Sequence, residues 1–312
     1  MTRTLYSTAT LLFLSLAACA STPPAMPKAA TVETLASFPH GAFLENLTVE
    51  RNGTIYFTSY FNKALMVLRP GTQAAPLAVL PAHPLGVLRT STGFIVTAHA
   101  VPFTNAPAFQ SSNEVLILDA VGTVTRTIKA ADARFLNGLV EVAPDKVLIA
   151  DSAAGLIWVL KPSTGELRPW LRNPMLAADP ASKRFRPGAN GLKVNNGVLY
   201  VSNFSRGAIF KIALDSRQEA SGAPTTFVQQ GPVDDFAFAP DGSIYATTHG
   251  DTLLRFAPDG TVRTILETGC DACTSVAVSG RGASLSLIVL TTGKLLQGGD
   301  APARVLRVRP AR

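Results

Sequence analysis

The chain has 312 residues, of which 47% are hydrophobic and only 16% charged, and it carries 24 Gly and 22 Pro. That balance excludes a disordered chain or a coiled coil and suits a turn-rich, well-buried β protein. The formal charge of +7 comes from mostly scattered Lys and Arg, with no repeated basic stripe carrying interleaved aromatics, so nucleic acid is not an expected partner.

In chain order, residues 1–18 read as a targeting segment. Arg3 precedes the apolar run Leu11-Leu12-Phe13-Leu14, which continues to Leu16-Ala17-Ala18 and is too short to span a bilayer. Leu16-Ala17-Ala18-Cys19 resembles the lipobox of bacterial lipoproteins, which implies that Cys19 is lipidated and opens the mature chain. By the same resemblance, Ala20 in place of Asp favours the outer membrane over retention at the inner membrane. The expected location is therefore the cell envelope, lipid-anchored at the outer membrane and facing the periplasm, with membrane contact through the anchor alone. Residues 19–30, including STPPAMPKAA, read as a flexible tether.

From residue 31 to 312 one supersecondary unit recurs six times. Hairpin turns at Arg51-Asn52-Gly53, Ser91-Thr92-Gly93, Pro144-Asp145-Lys146, Asn195-Asn196-Gly197 and Pro240-Asp241-Gly242 each follow a short period-two run. Return strands follow (TIYFTS, FIVTA, VLIADS, VLYVSNF, IYATTH), and then third strands (ALMVL, EVLILD, GLIWVL, AIFKI, TLLRF). The sixth copy, SVAVSG, LSLIVLTTG and ARVLRVR with a turn at Gly280-Arg281-Gly282, runs out of chain before a fourth strand. TVETLASF, unpaired ahead of the first copy, would supply it. A period on the order of 40 to 50 residues is propeller-blade length. The expected fold is all-β: one six-bladed β-propeller of four-stranded antiparallel blades, the last closed by an N-terminal strand. A β-sandwich fits this spacing less well.

Export would place Cys270 and Cys273 in an oxidising compartment, and a local disulfide is expected there. No second Cys/His pair has zinc-finger spacing.

With the copies aligned on their turns, the residues at the mouths of the first strands are Glu45, Leu85, Asn137, Asn190, Asp234 and about Thr274. In a propeller the first strand of each blade lines the central channel, so equivalent positions converge on the axis. Glu45, Asn137, Asn190 and Asp234 would then form a set of hard oxygen donors suited to a divalent cation, Ca²⁺ in the first instance. Read one at a time, Asn137-Gly138 and Asn190-Gly191 are also ordinary turn dipeptides, and the two acids ordinary loop residues.

The blade pattern and the motifs LENLTV, LNGLVEV, GANGLKV and DDFAFAPDG resemble the senescence marker protein, gluconolactonase and luciferin-regenerating enzyme family over about residues 38–309. The resemblance implies that Glu45, Asn137, Asn190 and Asp234 are metal ligands. It also implies that the Asp is a catalytic group activating water for lactone hydrolysis, and Asp234 is taken over Asp235 for that role because it stands in the same place relative to its turn as Glu45. The chain departs from the sugar-lactonase pattern in following Glu45 with Asn46-Leu47, in lacking an Asn-Asp dipeptide at the third opening, and in the placing of Arg134.

His249 and Asn203 end second strands and are expected near the channel rim as substrate contacts. Arg184 and Arg186 belong to the cluster Lys183-Arg184-Phe185-Arg186 in the longest non-repetitive loop, 172–189, which reads either as a solvated surface loop or as a lid drawing in an anionic small molecule. No nucleophile elbow or phosphate loop is present in the sequence. Two readings stay open: a monomeric metal-dependent hydrolase of a lactone or related ester, or a non-enzymatic envelope propeller that binds a ligand or protein with a structural ion or none.

Overall fold

The structure, a computed structural model, describes residues 29–104, 112–182 and 186–311. Among the described residues, twenty-four strands form six sheets of four, each in antiparallel succession. The inner strands are Leu44–Val49, His83–Arg89, Leu136–Ala143, Ala189–Asn195, Phe236–Phe238 and Cys273–Ser279. Thr31–Phe38 pairs antiparallel with Ala303–Arg309 and completes the sixth blade, so the ring closes as the unpaired first segment predicts. Glu33 meets Arg307 and Arg309 across this seam, but these exposed pairs contribute little beside the ladder itself. The sixth copy differs in detail. Its second strand begins at Ser286, and a 3-10 turn over Gly282–Ser284 replaces a tight hairpin.

Apolar residues gather between blades. Six buried clusters occupy the six interfaces: Phe57 and Met66 of the first blade pack on Leu290 and Val305 of the sixth, and Tyr56 and Val67 on Phe94 and Leu116 of the second. The ring is thus held by the hydrophobic effect at its seams, which leaves the axis free for polar groups.

Near the axis the inner ladders are interrupted at the same place. Register breaks lie between Leu44 and Leu47, Pro84 and Val87, Leu136 and Leu139, Ala189 and Leu192, and Cys273 and Val276. The polar backbone groups freed there need other partners, and Ser or Thr hydroxyls supply them. Thr97 Oγ1 accepts from Gly86 N–H (2.8 Å) and donates to the Asn137 carbonyl of the next blade (2.7 Å). Thr58 bridges likewise to Leu85, Ser202 to Asp234 and Thr247 to Thr274. Ser152 to Ala189 and Thr274 to Leu44 complete six blade-to-blade hydroxyl bonds. Inner strands come so close that a Cβ on Gly138 would lie 2.5 Å from the Asn190 carbonyl oxygen, and one on Gly86 2.5 Å from that of Asn137. The glycine after each Asn is therefore a close-approach residue inside a strand, not a turn residue.

Among the described residues no helix is long and apolar enough to cross a membrane.

Candidate functional site at the channel mouth

The register breaks turn the first residue of each interrupted pair toward the channel. Glu45, Asn137, Asn190 and Asp234, from blades one, three, four and five, line one cavity of about 320 Å³ together with His249 and Arg186. Leu85 of the second blade also lines it, whereas Thr274 of the sixth is taken up by its bond to the Leu44 carbonyl.

Asp234 is the centre of the polar network. Its Oδ1 accepts from Asn190 Nδ2 (2.5 Å) and its Oδ2 faces His249 Nδ1 at 3.0 Å. The other His249 ring nitrogen, Nε2, is out of solvent and without a hydrogen-bond partner. Glu45 Oε2 is likewise enclosed and unpartnered. Asn137 Nδ2 donates to Ser152 Oγ at 3.3 Å. Burial holds the Glu45 carboxyl well above the usual carboxylate range, and the nearby charges of Asp234 and Asp235 push it further. Burial also raises Asp234, against the opposing effects of His249 and Asn190.

His249 sits at φ +51°, in the left-handed region, which is rare for a non-glycine residue. It is held there by its neighbours. Its backbone N–H donates to the Cys273 carbonyl (2.9 Å) and its carbonyl accepts from Gln297 Nε2 (3.0 Å). Cys273 is in turn disulfide-bonded to Cys270. Phe43, whose ring centroid lies 6.1 Å from that of His249, is also left-handed at φ +48°.

The donor set fits a hard divalent cation on the observation of Glu45 Oε2, a buried acceptor with nothing to accept from, beside a second carboxylate that burial disfavours. A bound cation would favour both charges. Rotating the Asn190 amide exchanges its oxygen and nitrogen and would present an oxygen to such an ion. Among the described residues there is no group of three or more His, Cys, Asp or Glu side chains suited to a metal, so any site here depends on the two amides.

Asp235 belongs to a second layer. Its carboxylate accepts from Lys193 Nζ and Ser275 Oγ, both at 2.6 Å, and from Asn46 Nδ2 at 3.4 Å. Asn46 Oδ1 accepts from Val87 N–H at 3.1 Å. The axis is thereby filled one residue further along each of the three inner strands concerned.

Asn203, expected as a substrate contact, requires correction. It is fully buried, and its Nδ2 lies within hydrogen-bond distance of the carbonyls of Met175, Leu176 and Ala177, while its Oδ1 accepts from Arg206 N–H. It does not line the cavity because its polar atoms anchor the loop that follows the third blade. Arg186 lies at the cavity, its guanidinium 6.0 Å from the Phe204 ring centroid. Arg184 and Cys19 lie outside the described residues.

Sequence reasoning missed the wall. Phe43, Phe103, Phe135 and Phe204 line the cavity, and Tyr60 stands behind them. Tyr60 Oη accepts from Phe103 N–H (2.8 Å) and donates to His99 Nδ1 (3.1 Å), and His99 Nε2 reaches the Leu136 carbonyl (3.3 Å). Burial lowers His99 to about 4, so its ring is neutral near pH 7, with the proton on Nε2.

Fold and site together define a six-bladed propeller with a carboxylate-bearing cavity at one mouth of its channel. Solved structures that share the fold include a luciferin-regenerating enzyme, 15% identical over 89% of this chain and 95% of that one, with a TM-score of 0.66. The calcium-binding protein regucalcin from Agrobacterium tumefaciens is 15% identical over 89% and 96%, with a TM-score of 0.62. A gluconolactonase from Xanthomonas campestris is 14% identical over 91% and 90%, with a TM-score of 0.64. The structural neighbours thus include propellers of the gluconolactonase and luciferin-regenerating enzyme type, and at these identities the likeness is one of fold. No protein-family model matches the chain, and no curated protein sequence matches it significantly.

Proposed function

We propose that the chain is a lactone hydrolase that works with a hard divalent cation, Ca²⁺ in the first instance, held by Glu45, Asn137, Asn190 and Asp234. The observation that carries this reading is the pairing of two enclosed, unpartnered atoms, Glu45 Oε2 and His249 Nε2, in one cavity of ligand size. That the fold neighbours include a calcium-binding protein and a gluconolactonase supports it. Bound there, the cation would polarise a carbonyl oxygen and acidify water.

The chain's own residues divide the remaining work. With Asp234 Oδ2 accepting from Nδ1–H, the His249 tautomer leaves a free lone pair on Nε2, in a ring that lines the cavity. Nε2 takes the proton as water adds to the ring carbonyl carbon, and returns it to the ring oxygen as the carbon–oxygen bond breaks, which yields a hydroxy acid. Asp234 thus positions the base and stabilises its charged form, a refinement of its expected role as the water-activating group. The aromatic wall excludes bulk water and strengthens these interactions. In this reading residues 19–30, lipidated at Cys19, tether a monomeric propeller to the outer membrane on its periplasmic side.

The test is calcium titration calorimetry combined with a lactone and ester screen, for the wild type and His249→Asn. Calcium binding by both proteins, with turnover by the wild type alone, supports the assignment. Calcium binding without turnover of any substrate by the wild type leaves a propeller whose ion is structural.

A further inference from the structure

The wall of the cavity differs in character from its floor. The polar groups that face inward, Glu45, Asn137, Asn190, Asp234 and His249, sit together at the channel opening. Around them stand Phe43, Leu85, Phe103 and Phe135 on one side and Phe204 on the other, with Leu296 at the rim. The rings of the first side form a continuous surface: Phe43 to Phe103 is 5.4 Å between centroids, and Phe103 to Phe135 is 6.2 Å. Phe204 stands edge-on to His249 at 6.2 Å.

The hydrogen-bonding groups nearest this wall are already engaged. Tyr60 Oη holds the Phe103 amide and His99, and the second ring nitrogen of His99 reaches the Leu136 carbonyl. Gln297, at the rim, donates to the His249 carbonyl. Asn203, which could have met a hydroxyl, is closed around the 175–177 carbonyls. A polyhydroxylated ring seated on the floor would press the hydroxyls on its Phe43, Phe103 and Phe135 side against phenyl faces, where they would lose water without gaining a partner. An alkyl or aryl group in the same place would be buried favourably.

We propose that the substrate is a lactone bearing an apolar alkyl or aryl substituent, with its carbonyl on the polar floor and its substituent against the Phe43, Phe103 and Phe135 wall, and that sugar lactones are poor ligands. The inference rests on the lactonase reading for its reaction, but the apolar wall makes its prediction about binding whether or not turnover occurs. Arg186, exposed at the mouth and stacked toward Phe204, is a cation at the entrance, where the carboxylate of the product would leave.

Binding and turnover are tested separately on the calcium-loaded full-length protein. Calorimetry with unreactive δ-lactams compares δ-valerolactam, its 6-propyl and 6-pentyl derivatives, and gluconolactam. Affinity should rise about fourfold per added methylene along the alkyl series, and gluconolactam should bind at least tenfold more weakly than the 6-pentyl compound. Phe103→Ala, which removes the half-buried middle ring of that wall and keeps the backbone N–H that Tyr60 holds, should weaken the 6-pentyl lactam about tenfold and gluconolactam little. Equal or tighter binding of gluconolactam, or an affinity flat with chain length, overturns the substrate class. The matching δ-lactones are then assayed. Their turnover in the order of lactam affinity supports both proposals, whereas lactam binding in the expected order with no lactone hydrolysed keeps the apolar site and overturns the lactonase reading.

Discussion

Asp234 and Asp235 are adjacent in sequence but serve different layers of the channel. Asp234 is bound by Asn190 and His249 in the cavity, and Asp235 by Lys193, Ser275 and Asn46 in the packed layer beyond it. Both precede the short inner strand Phe236–Phe238 and lie outside its regular ladder, so two successive side chains can turn toward the axis. The two carboxylates should therefore separate by mutation. Asp235→Ala leaves Lys193 and Ser275 without their acceptor and should cost about 2–3 kcal/mol in urea unfolding. That is below the range for a fully buried pair, since Lys193 keeps 31% of its side chain in solvent. Asp234→Asn should leave metal-free stability unchanged or raised, because it removes a buried charge from beside Glu45.

The same crowding of carboxylates sets a pH dependence. Glu45 and Asp234 both have folded-state pKa values raised above those of the unfolded chain, by burial first. A raised acid contributes stability below its unfolded pKa and loses it as pH rises through the folded value. In a His99→Gln background, which lacks the opposing titration of that ring, melting temperature in chelator should consequently fall as pH rises from about 4.5 toward neutrality. Glu45→Gln should flatten the fall, and calcium in excess should abolish it.

His99 predicts the opposite slope at a different place. Its folded pKa is depressed to about 4 by burial, so the stability present above its unfolded pKa is lost as pH falls from about 6.5 through 4. The loss should be on the order of 3 kcal/mol. His99→Gln keeps a side-chain amide in place of the ring, as a partner for Tyr60, and has no proton to gain. Chemical denaturation at pH 7 and pH 4 should show a smaller difference for this variant than for the wild type.

His249→Asn should lower kcat about 10²–10⁴-fold, the usual contribution of a positioned acid or base. Asn tolerates the left-handed backbone that His249 occupies, so the melting temperature should change little. A drop in kcat accompanied by an equal loss of fold would point to a structural role for the ring.

The fold was legible because each blade repeats its turn chemistry, and because a strand ahead of the first copy lacked a partner. The four oxygen-bearing openings were legible for the same reason, since equivalent places in a repeat meet at the axis. The aromatic wall was not, although a signal existed: Phe43-Leu44-Glu45 and Phe135-Leu136-Asn137 repeat the same order of ring, core leucine and acceptor. Read singly, each Phe looks like core. Only the convergence of blades shows that both face the cavity. Asn203 misled because it and His249 both lie at the ends of second strands, yet nothing local indicates that the loop after the third blade comes back to claim its amide. The hydroxyl bonds at Thr58, Thr97, Ser202 and Thr247 were equally hidden, because a threonine in a strand ordinarily signals β propensity and no more.

Whether the cavity floor binds a divalent cation through its unpartnered carboxylate decides the proposed function. The most direct measurement is calorimetric titration of the chelator-stripped protein with calcium, in parallel for the wild type, Glu45→Gln and Asp235→Asn. Binding by the wild type and Asp235→Asn, at a stoichiometry of about one and lost in Glu45→Gln, is the predicted result. No calcium binding by the wild type, or binding that Glu45→Gln leaves intact, would contradict it.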